Sequence, residues 1–137
     1  MEGCPFCAIA RGEAPAHRVV DEGEAVAFLD REPATRGHTL VMPRDHHEDL
    51  LTAPEAVYRS VEDTVRSVAV AIEDVLEPVG FSTVSTTGTL VGTIDHVHVH
   101  LIPRYEDDDV RIGLSRSRLR DGDDLAAAIR SHDSVRR

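Results

Sequence analysis

His96-Val97-His98-Val99-His100-Leu101-Ile102-Pro103-Arg104 alternates imidazole and aliphatic side chains at period two. A strand turns successive side chains to opposite faces, so the segment reads as a β-strand with one apolar face and one face carrying three histidines. Neighbours on one face stand roughly 6 to 7 Å apart, two strand rises. A single metal ion could hold two adjacent imidazoles at that spacing but hardly three, so at least one histidine needs another occupation. Thr, Lys or Glu suit a merely solvated strand face better than three imidazoles do, and the pattern points to a functional site.

Working outward, Thr86-Thr87-Gly88-Thr89-Leu90-Val91-Gly92-Thr93 is a small-residue loop that feeds directly into this strand. Such a loop exposes backbone N–H groups and hydroxyls, the usual means of holding phosphate oxygens. A strand is expected before it, from Phe81 to Ser85. Before that comes the longest element, a helix whose start is signalled by Thr52-Ala53-Pro54-Glu55, Thr as N-cap with Glu three residues on. Val57, Val61, Val65, Val68, Ile72 and Val75 recur every three or four residues and give it one apolar stripe, and Pro78 and Gly80 end it. Downstream of Arg104, Tyr105 to Asp109 reads as a solvated acidic turn, and Asp123-Asp124 opens a short helix through Ile129.

The N-terminal part supplies three further strands and the only cysteines. Cys7 to Arg11 suits a short helix stopped at Gly12, His17 to Val20 a strand, and Asp21-Glu22-Gly23 the turn of a hairpin. Ala25 to Asp30 and His38 to Pro43 are strands joined by a loop over Pro33 to Gly37. Asp30 stands at a strand end, placed either to cap its own turn or to accept hydrogen bonds from a ligand's sugar hydroxyls. Cys4-Pro5-Phe6-Cys7 lacks the preceding buried strand that a redox pair wants, and a cytoplasmic chain disfavours a disulfide. The pair is then half of a zinc site needing two ligands from elsewhere, or two small residues that simply pack; His46 and His47 are available in the loop after Pro43.

At 137 residues and 41% apolar content the chain suits one domain, residues 1–137. No apolar run reaches the length of a membrane span, and Met1 to Ile9 lacks a signal-peptide pattern, so the expected compartment is the cytoplasm, with no membrane partner. A net charge of −10 disfavours a sequence-independent grip on nucleic-acid backbone but leaves room for a local pocket that takes one small phosphorylated ligand.

Several ordered motifs together resemble the histidine triad (HIT) family: Cys-Pro-Phe-Cys-Ala-Ile-Ala from Cys4, Glu13-Ala14-Pro15-Ala16, Ala27-Phe28-Leu29-Asp30, Gly37 through Pro43 with His46 after it, and His96 through Arg104. The likeness covers a core from about residue 4 to 105 and leaves 106–137 as an acidic C-terminal extension with a short helix. It implies an α+β fold, an antiparallel sheet of about five strands with one long and one short helix, usually paired as a homodimer. It implies a hydrolase or transferase that cleaves the α-phosphate linkage of a purine nucleotide conjugate, a dinucleoside polyphosphate or a phosphoramidate, through a nucleotidyl-histidine. In that scheme His98 is the nucleophile and His100 steadies the phosphate and leaving group. Phe6, Ile9 and Phe28 line the base pocket, Asp30 binds ribose, and Ser85, Thr86, Gly92 and Thr93 border the phosphate. Zinc-bearing bacterial and archaeal members, and the related galactose-1-phosphate uridylyltransferases, imply a structural zinc on Cys4, Cys7, His46 and His96, with His47 as the competing ligand. Family members usually carry an Asn near Ser85 and Thr86 and a Gly-Gln pair before the triad; Val91-Gly92-Thr93 stands there instead. Loss of those amides implies weaker transition-state stabilisation, which keeps a catalytically weak nucleotide-binding sensor as the alternative, alongside a metal-dependent enzyme using two strand histidines.

Overall fold

The computed structural model describes residues 3–87 and 96–135. Helix α1 spans Pro5–Ala10, strands β1 Arg18–Val20, β2 Ala25–Leu29 and β3 Thr39–Pro43 follow, and α2 runs over Glu55–Leu76. Strands β4, Gly80–Val84, and β5, Val99–Arg104, then precede α3, Gly122–Arg130. The strands form one five-stranded sheet in the order β1-β2-β3-β5-β4, every neighbouring pair antiparallel. This is the α+β architecture expected from the sequence.

The two faces of the sheet carry different partners, and period-two alternation assigns them. Ala27, Val41, Val97, Val99 and Leu101 face α2, where Val61, Val65, Val68 and Ile72 complete a buried cluster. Val26, Phe28, Leu40 and Met42 point to the other side and pack on Phe6 and Ala10 of α1. Strands buried on both faces explain why β3 is apolar at nearly every position. No helix among the described residues is long and apolar enough to cross a membrane.

Four expectations need correction. The ladder on the histidine strand begins at Val99 rather than His96. Continuing the β3 register past Val41↔Val99 brings Pro43 opposite this segment; proline has no N–H to donate, and its carbonyl accepts from the His96 side chain. Thr52 does not cap α2: its N–H and hydroxyl both donate to Asp49 Oδ1, at 2.7 and 2.9 Å, and Pro54 occupies the cap position. Val75, placed on the buried stripe by spacing, is 75% exposed on the rim of an open groove shared with Val19 and Leu29, and Val57 is only half-buried. The turn after β5 is not simply solvated: Asp108 is paired with Arg104 at 2.8 Å and accepts from the N–H groups of Tyr105 and Val110. These contacts hold its carboxyl well below the usual carboxylate range, the Arg104 guanidinium contributing most.

One glycine is required by the packing behind the site. Gly37 has φ +93°, and a Cβ there would stand 2.6 Å from Leu76 Cδ1 and 3.2 Å from Pro103 Cγ. The loop that it closes is tied to the sheet by Thr35 Oγ1 donating to the Pro103 carbonyl at 2.7 Å and by the Tyr105 hydroxyl donating to the Arg36 carbonyl at 2.8 Å.

Candidate functional site

On the α1 side of the sheet the three histidines take three different surroundings. His98 Nδ1 lies 2.8 Å from the His96 carbonyl oxygen, an acceptor only, so in the neutral ring Nδ1 carries the proton and Nε2 keeps a free lone pair. The Phe6 ring stands edge-on to His98, centroids 4.8 Å apart, and limits the ring's freedom on its flank. His98 is half-buried and reaches solvent, which suits a nucleophile that must meet a ligand.

His100 is held through a residue to which the sequence reading gave no role, His38. The Ala34 N–H donates to His38 Nδ1 at 3.0 Å, so the neutral His38 ring carries its proton on Nε2. That N–H donates to His100 Nδ1 at 2.9 Å, which in turn leaves the His100 proton on Nε2. Burial pushes the pKa of His38 down against the raising effect of Asp30. Burial, then the nearby charges of His98 and His38, lowers that of His100. Both rings are therefore neutral near pH 7, and His100 is a fixed hydrogen-bond donor. The strand register brings them together: His38 lies two residues before Leu40, the register partner of His100.

His96 turns the other way. Its ring is fully buried, Nε2–H donates to the Pro43 carbonyl at 2.8 Å, and Nδ1 faces Cys4 Sγ at 3.6 Å and Cys7 Sγ at 3.4 Å. His46 Nδ1 approaches Cys7 Sγ at 3.3 Å. The four ligand-type atoms of Cys4, Cys7, His46 and His96 all lie within 4.8 Å of one another. Zn–S and Zn–N bonds of about 2.3 and 2.05 Å at a tetrahedral angle give an S···N edge of about 3.6 Å, so these separations fit one zinc ion. His46 Nε2 is buried with no hydrogen-bond partner among the described residues, which leaves Nδ1 as the engaged nitrogen of that ring. His47 is set apart: its carbonyl accepts the Val97 N–H at 2.8 Å, and its side chain lines a separate pocket with Gly23 and Glu24.

Next to Phe6, which packs on His98, lies a cavity of about 520 Å³ between α1 and the sheet, whose lining includes neither His98 nor His100. Phe6, Ile9 and Phe28 line it, and Asp30 sits at its edge, so the four residues expected around base and ribose do border one space. Phe6 and Phe28 meet edge-to-face at 5.8 Å. Asp30 caps its own turn, Oδ1 accepting from the Glu32 N–H at 2.9 Å, while Oδ2 lies 3.5 Å from His38 Nε2. A larger groove of about 790 Å³ lies on the α2 side, bordered by Val68, Ile72 and the 33–37 loop; it shares Asp30 and His38 with the site but none of the triad.

The HIT domain model matches residues 11–107. The chain belongs to the HIT family. Protein hit of Bacillus subtilis is 37% identical over 109 residues, covering 79% of this chain and 75% of that protein. A zinc-bound histidine triad family protein from Mycobacterium smegmatis superposes with a TM-score of 0.74 at 32% identity over 98% of both chains. A histidine triad nucleotide-binding protein from Sulfolobus tokodaii gives a TM-score of 0.72 at 33% identity, over 83% of this chain and 77% of the other.

Of the residues expected to border the phosphate of this HIT protein, Ser85 and Thr86 lie within the described residues. Ser85 and Thr86 are exposed just past β4, whose Val84 is the register partner of His100, and neither lines the cavity. Gly92 and Thr93, with most of the small-residue loop before the triad, lie outside the described residues.

Proposed function

We propose that this HIT protein binds a purine nucleotide conjugate and transfers the nucleotidyl group through His98. The carrying observation is the hydrogen bond from His98 Nδ1–H to the His96 carbonyl, which in the neutral ring leaves the lone pair on Nε2, together with Phe6, which packs edge-on to His98 and lines the neighbouring cavity with Ile9 and Phe28. In the reaction, the Nε2 lone pair forms a bond to the α-phosphorus of a dinucleoside polyphosphate or phosphoramidate while the bond to the leaving group breaks. His100 Nε2–H donates to a phosphate oxygen or to the leaving group, and His38 keeps that proton in place. Water or another acceptor then attacks phosphorus and returns His98. The cavity has the size of a small-ligand site, and its mostly apolar lining, with Asp30, Arg31 and His17 as polar groups, suits a flat base and a ribose.

Cys4, Cys7, His46 and His96 would hold a structural zinc in a closed four-ligand site, where the bound ion supplies a cross-link between the N-terminus and the sheet. As in family members, a homodimer is the proposed assembly. Diadenosine polyphosphate or an adenylyl phosphoramidate should release AMP with the wild-type protein and not with His98→Ala; equal release by both would remove His98 as nucleophile. Binding of AMP without turnover by either protein would favour the sensor, a reading supported by the absence of Asn and Gln at 85–86 and 91–93. Metal analysis should find close to one zinc per chain, falling in Cys4→Ser, and zinc absent from both would end the metal assignment.

A further inference from the structure

Helix α1 belongs to two sites at once. Its six residues carry Cys7, with Cys4 as N-cap, to the His46–His96 cluster, while Pro5, Phe6 and Ile9 form a wall of the cavity. So short a helix has little stability of its own, and its position comes from what it is tied to. His96 is shared in the same way: its Nδ1 faces the two sulfurs, and its carbonyl oxygen holds the His98 Nδ1–H. Phe6, between the two cysteines in sequence, contacts both His98 and Phe28, at 4.8 and 5.8 Å between ring centroids. Metal ligation by these residues would therefore fix one wall of the cavity and the carbonyl that orients the candidate nucleophile.

From this shared construction we propose that metal and nucleotide binding are linked, each raising the protein's affinity for the other, with Phe6 and the His96 carbonyl as the connecting parts. The inference rests on the zinc and nucleotide assignments made above. It makes Cys4, Cys7 and His46 positioning residues for binding and chemistry, where a remote staple would leave the cavity indifferent to the metal. Linkage is reciprocal, so the effect can be read from the metal side in fully loaded, folded protein.

The test uses protein carrying Co²⁺ in the Cys₂His₂ set, because the visible absorption of Co²⁺ reports its ligand geometry. Saturating AMP should shift the absorption bands and strengthen Co²⁺ retention against a competing chelator by about 5-fold or more. Adenosine, which lacks the phosphate that chelates metal, should produce part of the same effect through the cavity wall. In Phe6→Leu, Co²⁺ should still bind with the tetrahedral spectrum while the AMP effect on retention shrinks. AMP that binds by calorimetry yet leaves both spectrum and retention unchanged overturns the linkage and leaves the functional reading standing. Loaded protein that binds no AMP, or that takes up no Co²⁺, overturns the functional reading and the linkage with it. An undiminished AMP effect in Phe6→Leu overturns the assigned route.

Discussion

His38 and His100 make stability depend on pH in a way that can be separated from the rest of the molecule. His38 is 6% exposed, and burial lowers its pKa and that of His100 below the ordinary value of about 6.5. In the unfolded chain both rings take up a proton near pH 6.5, whereas in the native chain they do so only at lower pH. Between those limits the unfolded state binds more protons, so stability is complete above about pH 6.5 and is lost as pH falls through the interval. Each such proton contributes a slope of up to about 1.4 kcal/mol per pH unit. Exchanging His38 for Gln removes one titrating group, so the difference between wild type and His38→Gln should change by up to about 1.4 kcal/mol per pH unit below 6.5 and be flat above 7. His96, also lowered by burial, titrates in both proteins and cancels in that difference. Urea unfolding of zinc-loaded protein at pH 7.5, 6.5 and 5.5 gives the two curves. Parallel curves, or a wild type that gains stability on His38's account as the solution is acidified, would refute the reasoning.

The same residue separates two hydrogen bonds by their reach. His38→Gln places an amide near the Nε2 position and keeps a donor for His100, while His38→Asn keeps only an acceptor for Ala34; AMP release should fall about 10²-fold in the Asn variant and less in the Gln variant, as steady-state turnover would measure. Gly37→Ala should cost about 2 to 4 kcal/mol in chemical denaturation, because a Cβ at φ +93° is strained and meets Leu76 and Pro103.

Period-two alternation on the histidine strand correctly divided Val97, Val99 and Leu101 from the three imidazoles, because the faces of a strand are fixed by backbone geometry alone. The apolar stripe on α2 was legible from Val61 to Ile72 for the same kind of reason, and failed at Val75, where the question is what lies opposite. Thr52 carried a sound capping signal that Asp49, three residues earlier, took instead. Asp108 read as solvent because an aspartate within an acidic run gives no sign that Arg104 turns back onto it. His46 and His47 are equivalent in sequence; only the course of the loop engages the His47 carbonyl with Val97 and leaves His46 Nδ1 beside Cys7. His38 needed both a strand register and a loop N–H to acquire meaning, and neither is a property of the residue.

Among the described residues two clusters bring metal-ligand atoms together, and the backbone decides what each can be. Asp30, His38 and His100 gather as closely as the cysteine cluster does, all within 4.8 Å. At His38, however, the backbone offers a donor: the Ala34 N–H fills the Nδ1 lone pair, and the proton is held on Nε2, where a metal would need a lone pair. At His96 it offers an acceptor: the Pro43 carbonyl takes the Nε2–H and leaves the Nδ1 lone pair facing two sulfurs. One arrangement suits passing a fixed proton polarity to His100, the other suits ligation. His98, bonded to the His96 carbonyl, is of the second kind electronically, with a free Nε2 lone pair in the neutral ring, but it belongs to neither cluster. The chemistry available to these like side chains thus follows from whether an N–H or a C=O meets the distal nitrogen. The loop over 33–37 and the end of β3 matter to the site as much as the triad does, although they act on the histidines through backbone groups, the Ala34 N–H and the Pro43 carbonyl.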